Sequence, residues 1–267
     1  MCALAGVSRT GYYRHWRARR PKQEETALRD QIQKLAMDNR HYGYRRLTAL
    51  LKREGWVVNH KRVLRIARAD NLLCLRRRRF VPATTQSSHR FRIWPNLAPG
   101  LTPTALDQLW VADITYIRLD EEFVYLAVVI DAFSRRVIGW ELADHLRAKL
   151  ALAALRMALS SRAVKPGLIH HSDRGIQYAC PAYIRVLERH KIQPSMSRAG
   201  CPYDNAMAES FMKTLKKEEV DASVYRDQDH ARQAISEFLE TIYNRQRLHS
   251  ALDYRTPVEY EAVFKIA

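Results

Sequence analysis

Residues 169–215 contain two polar motifs that decide the fold, His171-Ser172-Asp173-Arg174-Gly175 and Asp204-Asn205-Ala206-Met207-Ala208-Glu209-Ser210-Phe211. The first motif closes a short apolar run at 167–169, which predicts that Asp173 lies where a buried strand ends. The second motif opens a helix, for which Asp204 or Asn205 is a suitable N-cap. A strand end and a helix start are therefore expected to present one carboxylate each.

The helix that begins near residue 205 is predicted to have two opposite faces. Side chains three, four and seven positions apart share one face of a helix. The polar face consists of Glu209, Lys213 and Lys216. The apolar face, which can pack against a sheet, consists of Met207, Phe211 and Leu215. The helix is thus expected to present a carboxylate beside two cations.

A third carboxylate belongs to an apolar strand, Leu109-Trp110-Val111-Ala112-Asp113-Ile114-Thr115-Tyr116. A buried acid is costly unless it is paired, hydrogen-bonded or bound to a cation. If the strand ending at Asp173 lies beside this one, Asp113, Asp173 and Glu209 converge. Such oxygen ligands suit Mg²⁺ or Mn²⁺. The 35 intervening residues between Asp173 and Glu209 are weak evidence alone, because Asp204 and Glu240 have the same spacing.

The charge of the chain is unevenly distributed. The 267 residues carry a formal net charge of +17. Residues 1–103 hold 23 Lys and Arg against 6 Asp and Glu, whereas residues 104–267 are balanced at 22 against 22. Phosphate neutralisation makes nucleic acid the first partner to consider for the basic part, with a solvated basic surface as the alternative.

The four scattered cysteines are predicted to be reduced thiols. No apolar run in the sequence is long enough to span a membrane.

The basic part is predicted to contain an arm at 1–21 and a small helical domain at 22–75. Three helices are expected at 22–38, 45–53 and 60–69, the last capped by Asn59. The pattern resembles a helix-turn-helix whose last helix enters the major groove. The candidate DNA contacts there are Lys61, Arg62, Arg65 and Arg68. The alternative is a helical bundle whose arginines are only surface residues.

Residues 76–103 are predicted to form a cationic linker rich in Pro, Thr and Ser. Its basic run is a further candidate DNA contact: Arg76, Arg77, Arg78 and Arg79. The run is expected either to follow a phosphate backbone or to be a solvated charge cluster.

Residues 104–267 are predicted to be one α/β domain. The expected strands are 108–119, 123–130, 135–142, 167–171 and 192–196, and the expected helices are 147–160, 179–191, 205–217 and 229–247, followed by a stop at Pro257. Short turns make the first three strands antiparallel, and crossover helices make the last two parallel. This is the order of a ribonuclease H-like mixed sheet flanked by helices.

Several polar residues near the predicted site have two possible roles. Asp131 is expected to form a turn, with support of the metal site as the alternative. His170 and His171 are expected in the core or at its rim, with a ligand contact as the alternative. Arg174 is expected to form an ion pair either with Asp173 or with a phosphate group. Lys213 and Lys216 are the candidate DNA contacts beside the site, and a solvated helix face is the alternative.

The chain resembles the transposases of the IS-three family of bacterial insertion elements and, behind them, the retroviral integrase core. The resemblance rests on motifs in the same order along nearly the whole chain. They are Gly6-Val7-Ser8-Arg9-Thr10-Gly11-Tyr12-Tyr13, His41-Tyr42-Gly43-Tyr44-Arg45-Arg46, the strand around Asp113, the two motifs quoted first, Tyr243-Asn244-Arg245 and Thr256-Pro257. By this resemblance Asp113, Asp173 and Glu209 are the DDE residues, and Lys216 matches a basic position that contacts element ends.

The resemblance implies a DDE transposase that nicks phosphodiesters at element ends and joins the 3′-hydroxyl to new DNA. It implies two Mg²⁺ or Mn²⁺ ions per site, double-stranded DNA with terminal inverted repeats and target DNA as partners, a homo-oligomer on DNA, and a bacterial cytoplasmic, nucleoid-associated location. The family's complete transposase resembles a frameshift fusion with an upstream segment. No heptad zipper is present here, so we expect the downstream product, with the upstream product as a partner.

Two other functions remain open from the sequence. One is a DNA-binding regulator with an inactive core, which the complete acidic triad disfavours. The other is a ribonuclease H-like nuclease without joining activity, which would share the metal ions but make no new DNA junctions. Labelled DNA ends incubated with Mg²⁺ would separate these three functions by their products.

Overall fold

The computed structural model describes Ser8 and residues 23–72, 90–119, 122–198 and 201–265. The chain divides into two compact units, Met1–Arg77 and Arg78–Ala267. The N-terminal arm and the basic run at 76–79 lie outside the described residues, as do Cys2 and Cys74. Cys180 and Cys201 are free thiols, as predicted. No helix among the described residues is long and apolar enough to cross a membrane.

The N-terminal unit consists of three helices, α1 (Gln23–Asp38), α2 (Tyr44–Arg53) and α3 (His60–Ala69). The Asn59 side chain caps α3 by accepting a 2.8 Å hydrogen bond from the Lys61 backbone N–H, as predicted. Apolar side chains at helical spacing meet between the helices and are buried: Leu28, Ile32, Leu35, Leu47, Leu51, Val63 and Ile66. The three predicted helices therefore form one small hydrophobic core.

The second unit is built on a five-stranded sheet. Its strands are β1 (Leu109–Arg118), β2 (Phe123–Asp131), β3 (Val137–Ala143), β4 (Ile169–Ser172) and β5 (Gln193–Met196). The spatial order is β3-β2-β1-β4-β5. The pairs β1/β2 and β2/β3 are antiparallel, and the pairs β1/β4 and β4/β5 are parallel. The predicted mixed sheet of three antiparallel and two parallel strands is confirmed.

Helices cover both faces of the sheet. They are α4 (Ala148–Ser161), α5 (Ile176–Ala179), α6 (Pro181–Arg189), α7 (Ala206–Leu215), α8 (Gln228–Glu237) and α9 (Pro257–Lys265). Helices α4 and α6 pack with Trp110 and Ala112 in one core cluster. Helices α7 and α8 pack with Val111 and Ile117 in the other. The alternating residues of β1 therefore fill both cores, which fixes the register of this central strand.

Glycine at position 139 lets α4 lie directly against strand β3. A Cβ at Gly139 would lie 2.2 Å from the Ala154 carbonyl oxygen and 2.7 Å from the Ala158 backbone nitrogen. The free edge of β3 is also occupied, because the Asn244 amide bonds to both the N–H and the C=O of Val137, at 3.0 and 2.9 Å. These contacts protect an edge that would otherwise be available for further strand pairing.

Part of the predicted 76–103 linker packs against the second unit. The Met196 N–H donates to the Pro95 carbonyl at 3.4 Å, and the Leu97 N–H donates to Ser195 Oγ at 2.8 Å. Trp94 packs against the core cluster that contains α6. These contacts place residues 94–97 along strand β5, so this part of the linker is ordered by the sheet.

The helical boundaries differ from the prediction at three places. The helix predicted at 179–191 is α6, which begins at Pro181, and the short helix α5 that precedes it was not predicted. The helix predicted at 229–247 begins as α8 and continues as a π-helix, Phe238–Gln246. Helix α7 is likewise preceded by a 3-10 turn, Pro202–Asn205, and followed by a π-helical turn, Lys216–Val220.

The prediction that Pro257 stops the helical region was wrong, because Pro257 is the first residue of α9. Thr256 and Glu259 form a reciprocal capping box, in which the Glu259 N–H donates to Thr256 Oγ1 and the Thr256 N–H donates to Glu259 Oε2. Proline suits the first helical position because it has no N–H to leave unpaired. The sequence Thr256-Pro257-Val258-Glu259 contained this signal.

Candidate active site

The register of β1 and β4 brings two of the predicted acids to the same level of the sheet. Val111 pairs with His171 in the parallel ladder. Asp113 lies two residues beyond Val111 on β1, and Asp173 lies two residues beyond His171, just after β4. Side chains two residues apart in a strand share a face. Asp113 therefore lies on the same face as Val111, which is the face that helix α7 covers.

Helix α7 brings the third acid to this face. Ala208, Phe211, Met212 and Leu215 are buried against the sheet. Glu209 lies in the first turn of the helix, and its side chain is 36% exposed. A single amide ties this helix to β1, because Asn205 Nδ2 donates a 3.1 Å hydrogen bond to the carbonyl oxygen of Ala112. Glu209 is thus carried on a helix that is anchored next to Asp113.

The prediction that Asp204 or Asn205 is the N-cap of α7 is confirmed in position but not in hydrogen bonding. Asn205 occupies the N-cap position of α7, but its side chain makes no capping hydrogen bond. Asp204 pairs with the Arg198 guanidinium, at 3.0 Å from Nε, and accepts the Arg198 backbone N–H at 2.8 Å. These bonds hold the pKa of Asp204 well below its usual range. Both side chains serve tertiary contacts that a local sequence pattern does not reveal.

The electrostatics of Asp113 show that the other two acids act on it. Burial and, after it, the negative charges of Asp173 and Glu209 together raise the pKa of Asp113 to about 7, against the opposing effects of the Ile114 N–H and the Lys216 ammonium. A carboxylate in this environment is costly to ionise unless a cation compensates it. The Asp113 carboxyl therefore lies among negative charges that a nearby cation would compensate.

Each acid in this structure has a local polar contact. The Ile114 N–H donates to Asp113 Oδ1 at 2.9 Å, and the Gly175 N–H donates to Asp173 Oδ1 at 2.9 Å. Lys213 Nζ lies 3.6 Å from Glu209 Oε2. Among the residues that the structure describes, no group of three or more His, Cys, Asp or Glu side chains is arranged to hold a metal ion. A shared ion would therefore require the three side chains to turn away from these contacts.

The space around Asp173 is shaped for its carboxylate. A Cβ at Gly175 would lie 2.9 Å from Asp173 Oδ1 and 2.9 Å from Gln177 Oε1. The missing side chain at this position leaves room for the carboxylate and for the backbone N–H that holds it. Carboxylate oxygens of this kind are the ligands that Mg²⁺ and Mn²⁺ prefer.

The two lysines that follow Glu209 have different environments. Lys213 is 79% exposed and pairs with Glu209 along the helix. Lys216 is partly buried, and its Nζ lies 4.3 Å from the centroid of the Tyr116 ring. Burial lowers the pKa of Lys216, and the charge of Asp113 opposes this effect. Lys216 is therefore held toward the acidic site, whereas Lys213 points toward solvent.

The remaining polar residues near the site have structural contacts. Asp131 is fully buried and accepts hydrogen bonds from the N–H groups of Asp107, Phe133 and Ser134, which confirms its predicted turn-forming role.

His170 and His171 are buried, as predicted. His170 contacts Tyr183 Oη at 3.0 Å, and His171 contacts two serine hydroxyls. Burial lowers the pKa of His170 to about 3. Arg174 Nε donates to the Ser197 carbonyl at 2.6 Å.

The candidate DNA contacts in the N-terminal unit lie on α3. Lys61, Arg65 and Arg68 are exposed, and Arg62 is partly exposed. Arg65 also pairs with Glu25, at 2.9 Å. The remaining candidates, Arg76 to Arg79, lie outside the described residues. The described cations thus form a stripe along one helix, with Arg65 engaged in an ion pair.

Family models match most of the chain. A model described as "HTH-like domain" matches residues 22–80, and two models described as "Integrase core domain" match residues 103–202 and 190–257. An uncharacterized 31 kDa protein of insertion element IS600 from Shigella sonnei is 39% identical, over 97% of both chains. The transposase for insertion sequence IS904 from Lactococcus lactis is 36% identical, over 92% of this chain and 98% of its own. Transposase InsF for insertion sequence IS3A from Escherichia coli is 35% identical, over 98% of this chain and 92% of its own.

Solved structures with a similar fold include retroviral integrases. A simian T-cell lymphotropic virus intasome in complex with PP2A regulatory subunit B56 gamma matches at a TM-score of 0.48 and 18% identity, covering 86% of this chain and 73% of the other. The HTLV-2 integrase catalytic core domain in complex with magnesium (trimeric form) matches at a TM-score of 0.45 and 15% identity, covering 60% of this chain and 99% of the other.

Proposed function

Because the chain belongs to the IS-three (IS3) family of insertion-element transposases, which are DNA-binding polynucleotidyl transferases of the DDE type, we propose that Asp113, Asp173 and Glu209 are its catalytic metal ligands. Family membership establishes DNA transposition as the general function. The proposal assigns the individual chemical steps, nicking at an element end and 3′-hydroxyl strand transfer, to this acidic site.

The observation that carries the proposal is the mutual influence of the three carboxylates. They come from a central strand, the end of its parallel neighbour and a helix packed over both. Burial, as the larger cause, and the charges of Asp173 and Glu209 together raise the pKa of Asp113 to about 7.

The three carboxylates would hold two Mg²⁺ or Mn²⁺ ions. When bound, such ions activate the attacking hydroxyl and stabilise the negative charge of the leaving oxygen. The protein's own groups bind and orient: Asn205 fixes the helix that carries Glu209, and the Ile114 and Gly175 N–H groups hold Asp113 and Asp173 until an ion is bound. Lys216 would contact a DNA phosphate beside the site, as would Lys213.

The proposed reaction has two steps of the same kind. In the first, a water oxygen attacks a phosphorus atom at the element end, the P–O3′ bond breaks, and the released 3′-oxygen takes up a proton. In the second, this 3′-hydroxyl attacks a phosphodiester of the target, giving up its proton as a new P–O bond forms and the target's P–O3′ bond breaks. No side chain forms a covalent bond to DNA in either step.

The N-terminal residues are proposed to retain the DNA. Residues 22–75 would bind double-stranded DNA through Lys61, Arg62, Arg65 and Arg68, with the arm at 1–21 before them. The linker at 76–103 would follow the phosphate backbone through Arg76 to Arg79, and residues 104–267 would carry the chemistry. The terminal repeats and the target DNA would be held by a homo-oligomer, with the upstream reading-frame product as a further partner, in association with the nucleoid.

The test is a strand-joining reaction with the full chain, labelled element ends, a target plasmid and Mg²⁺ or Mn²⁺. Single alanine variants of Asp113, Asp173 and Glu209 are expected to lower nicking and joining by at least about 100-fold while DNA retention stays near normal. Normal metal-dependent joining by one of these variants would remove that residue from the site. Nicking without joining would indicate a nuclease, and DNA retention without either reaction would indicate a binding protein.

A further inference from the structure

A buried ion pair links the segment after helix α7 to the end of the α8 region. Arg247 Nε lies 2.7 Å from Glu218 Oε2, and Arg247 Nη2 lies 2.8 Å from Glu218 Oε1. The two side chains are only 7% and 9% exposed. This two-pronged geometry fixes both the distance and the orientation of the carboxylate.

Each partner of this pair lies in or directly after a π-helical segment. Glu218 lies within the π-helical turn Lys216–Val220, which closes with a 2.7 Å bond from the Asp221 N–H to the Lys216 carbonyl. Arg247 follows the π-helix Phe238–Gln246, which closes with a 2.7 Å bond from the Arg247 N–H to the Ile242 carbonyl. Such turns are uncommon and are often found at functional sites.

The anchored turn also carries Lys216. Residues two positions apart on a helix point in nearly opposite directions. Glu218 points to Arg247, and Lys216 points to the other side, where its Nζ lies 4.3 Å from the Tyr116 ring centroid and its charge acts on Asp113. Fixing Glu218 therefore fixes the rotation of the turn about its own axis, and with it the direction of Lys216.

We infer that the Arg247–Glu218 ion pair is a positioning pair that holds the Lys216 ammonium over the Tyr116 ring, beside the acidic site, for contact with DNA. The inference rests on the proposed function in one respect, because Lys216 is taken to contact a DNA phosphate. The placement of Lys216 by the pair is independent of the metal chemistry.

A second buried ion pair provides the matched control. Arg162 and Glu261 are 6% and 2% exposed and form a direct ion pair. Glu261 also pairs with Arg136, on the turn before β3. Loss of either buried pair removes a similar interaction, but only the Arg247–Glu218 pair adjoins the turn that carries Lys216.

The experiment measures binding of the full chain to a labelled 30-base-pair duplex of arbitrary sequence, in EDTA, over a series of KCl concentrations. Lys216→Gln is expected to reduce the slope of log K against log[KCl] by about one. Glu218→Gln should reduce it by a similar amount, and the double variant should lose no more than either single variant. Arg247→Lys should give an intermediate slope, and Glu261→Gln should keep the wild-type slope.

Additive losses in the double variant, or a wild-type slope for Glu218→Gln, would overturn the inference. A crystal structure of the Glu218→Gln variant tests the placement without DNA: Lys216 should leave the Tyr116 ring, and an Nζ still 4.3 Å from its centroid overturns the inference. Failure of the proposed chemistry appears separately, as absence of metal-dependent nicking of supercoiled plasmid by the wild-type chain.

Discussion

Asn205 and Ala112 are joined by a 3.1 Å hydrogen bond from the side-chain amide to the backbone carbonyl, at the residue immediately before Asp113. The amide is buried, and it connects the start of the helix that carries Glu209 to the strand that carries Asp113. The distance between these two acids therefore depends on a neutral side chain that takes no part in the chemistry.

Replacing Asn205 with alanine is expected to lower strand joining by about tenfold, because Glu209 loses its fixed position relative to Asp113. The loss of the hydrogen bond should also cost about 1 kcal/mol of stability. Asn244→Ala is the matched control, since Asn244 is equally buried and bonds to the backbone of β3. Joining per folded molecule should fall in the Asn205 variant alone; an equal fall in both variants would contradict the positioning role.

Replacing Asp113 with asparagine is expected to stabilise the metal-free protein at pH 8 by about 2 kcal/mol while abolishing activity. The folded pKa of Asp113, about 7, lies above its ordinary value of 3.8, so the wild-type protein loses stability as the pH rises from 3.8 to about 7. The asparagine variant does not titrate, so its advantage should shrink below pH 7 and vanish near pH 4. Thermal unfolding in EDTA from pH 4 to 8 measures this difference.

Asp131→Asn is the control for that comparison. Burial also raises the pKa of Asp131, but its carboxylate accepts several backbone hydrogen bonds that an amide group cannot fully replace. This variant should be destabilised at pH 8. Stabilisation of both variants would mean that burial alone explains the behaviour of Asp113, and stabilisation of neither would contradict the raised pKa of Asp113.

Replacing Gly175 with alanine is expected to displace the Asp173 carboxylate, because the new Cβ would lie 2.9 Å from Asp173 Oδ1. Gly175 has an ordinary φ of −61°, so the backbone itself tolerates alanine. Metal affinity, measured by calorimetry with Mn²⁺, should fall by about tenfold with little change in melting temperature. Gly43→Ala, where a Cβ meets nothing within 4 Å, is the control. Unchanged Mn²⁺ affinity in Gly175→Ala would contradict the proposed role of Asp173.

Glu261 is expected to make the second unit sensitive to acid. Burial alone would raise its pKa, but hydrogen bonds and charge from Arg162 and Arg136 lower it below the usual 4.5. Its stabilising contribution is therefore present above pH 4.5 and lost as the pH falls through the lower folded value. Glu261→Gln should lower stability at pH 7 by about 3 kcal/mol and flatten the loss of stability below pH 4.5. If Glu261→Gln lost stability below pH 4.5 as steeply as the wild type, other carboxylates would be responsible for the acid sensitivity.

The strand order was predictable from the sequence because it depends on local features. Short turns at 120–122 and 131–134 require antiparallel pairing, and helix α4 requires a parallel crossover. The Asn59 cap was predictable for the same reason, since its hydrogen bond is to Lys61, two residues away. The apolar stripe of α7 was visible as a helical repeat, and Phe211 and Leu215 are buried as it requires.

The features that were not predictable depend on residues far apart in the chain. The Asn205–Ala112 bond spans 93 residues, and the Arg247–Glu218 pair spans 29. The π-helical turns have no compositional signal, because they arise where such tertiary contacts outweigh regular α-helical bonding. The helix that begins at Pro257 had a local signal in the sequence, the Thr256–Glu259 capping box. The prediction missed this signal because it interpreted the proline as a helix stop.

The most direct test of the central claim is a crystal structure of the full chain soaked with Mn²⁺, with anomalous scattering used to locate the ions. We predict Mn²⁺ peaks ligated by carboxylate oxygens of Asp113, Asp173 and Glu209. These three side chains should have turned away from their contacts with Ile114, Gly175 and Lys213. Mn²⁺ bound elsewhere, with the three carboxylates still held by those contacts, would contradict it.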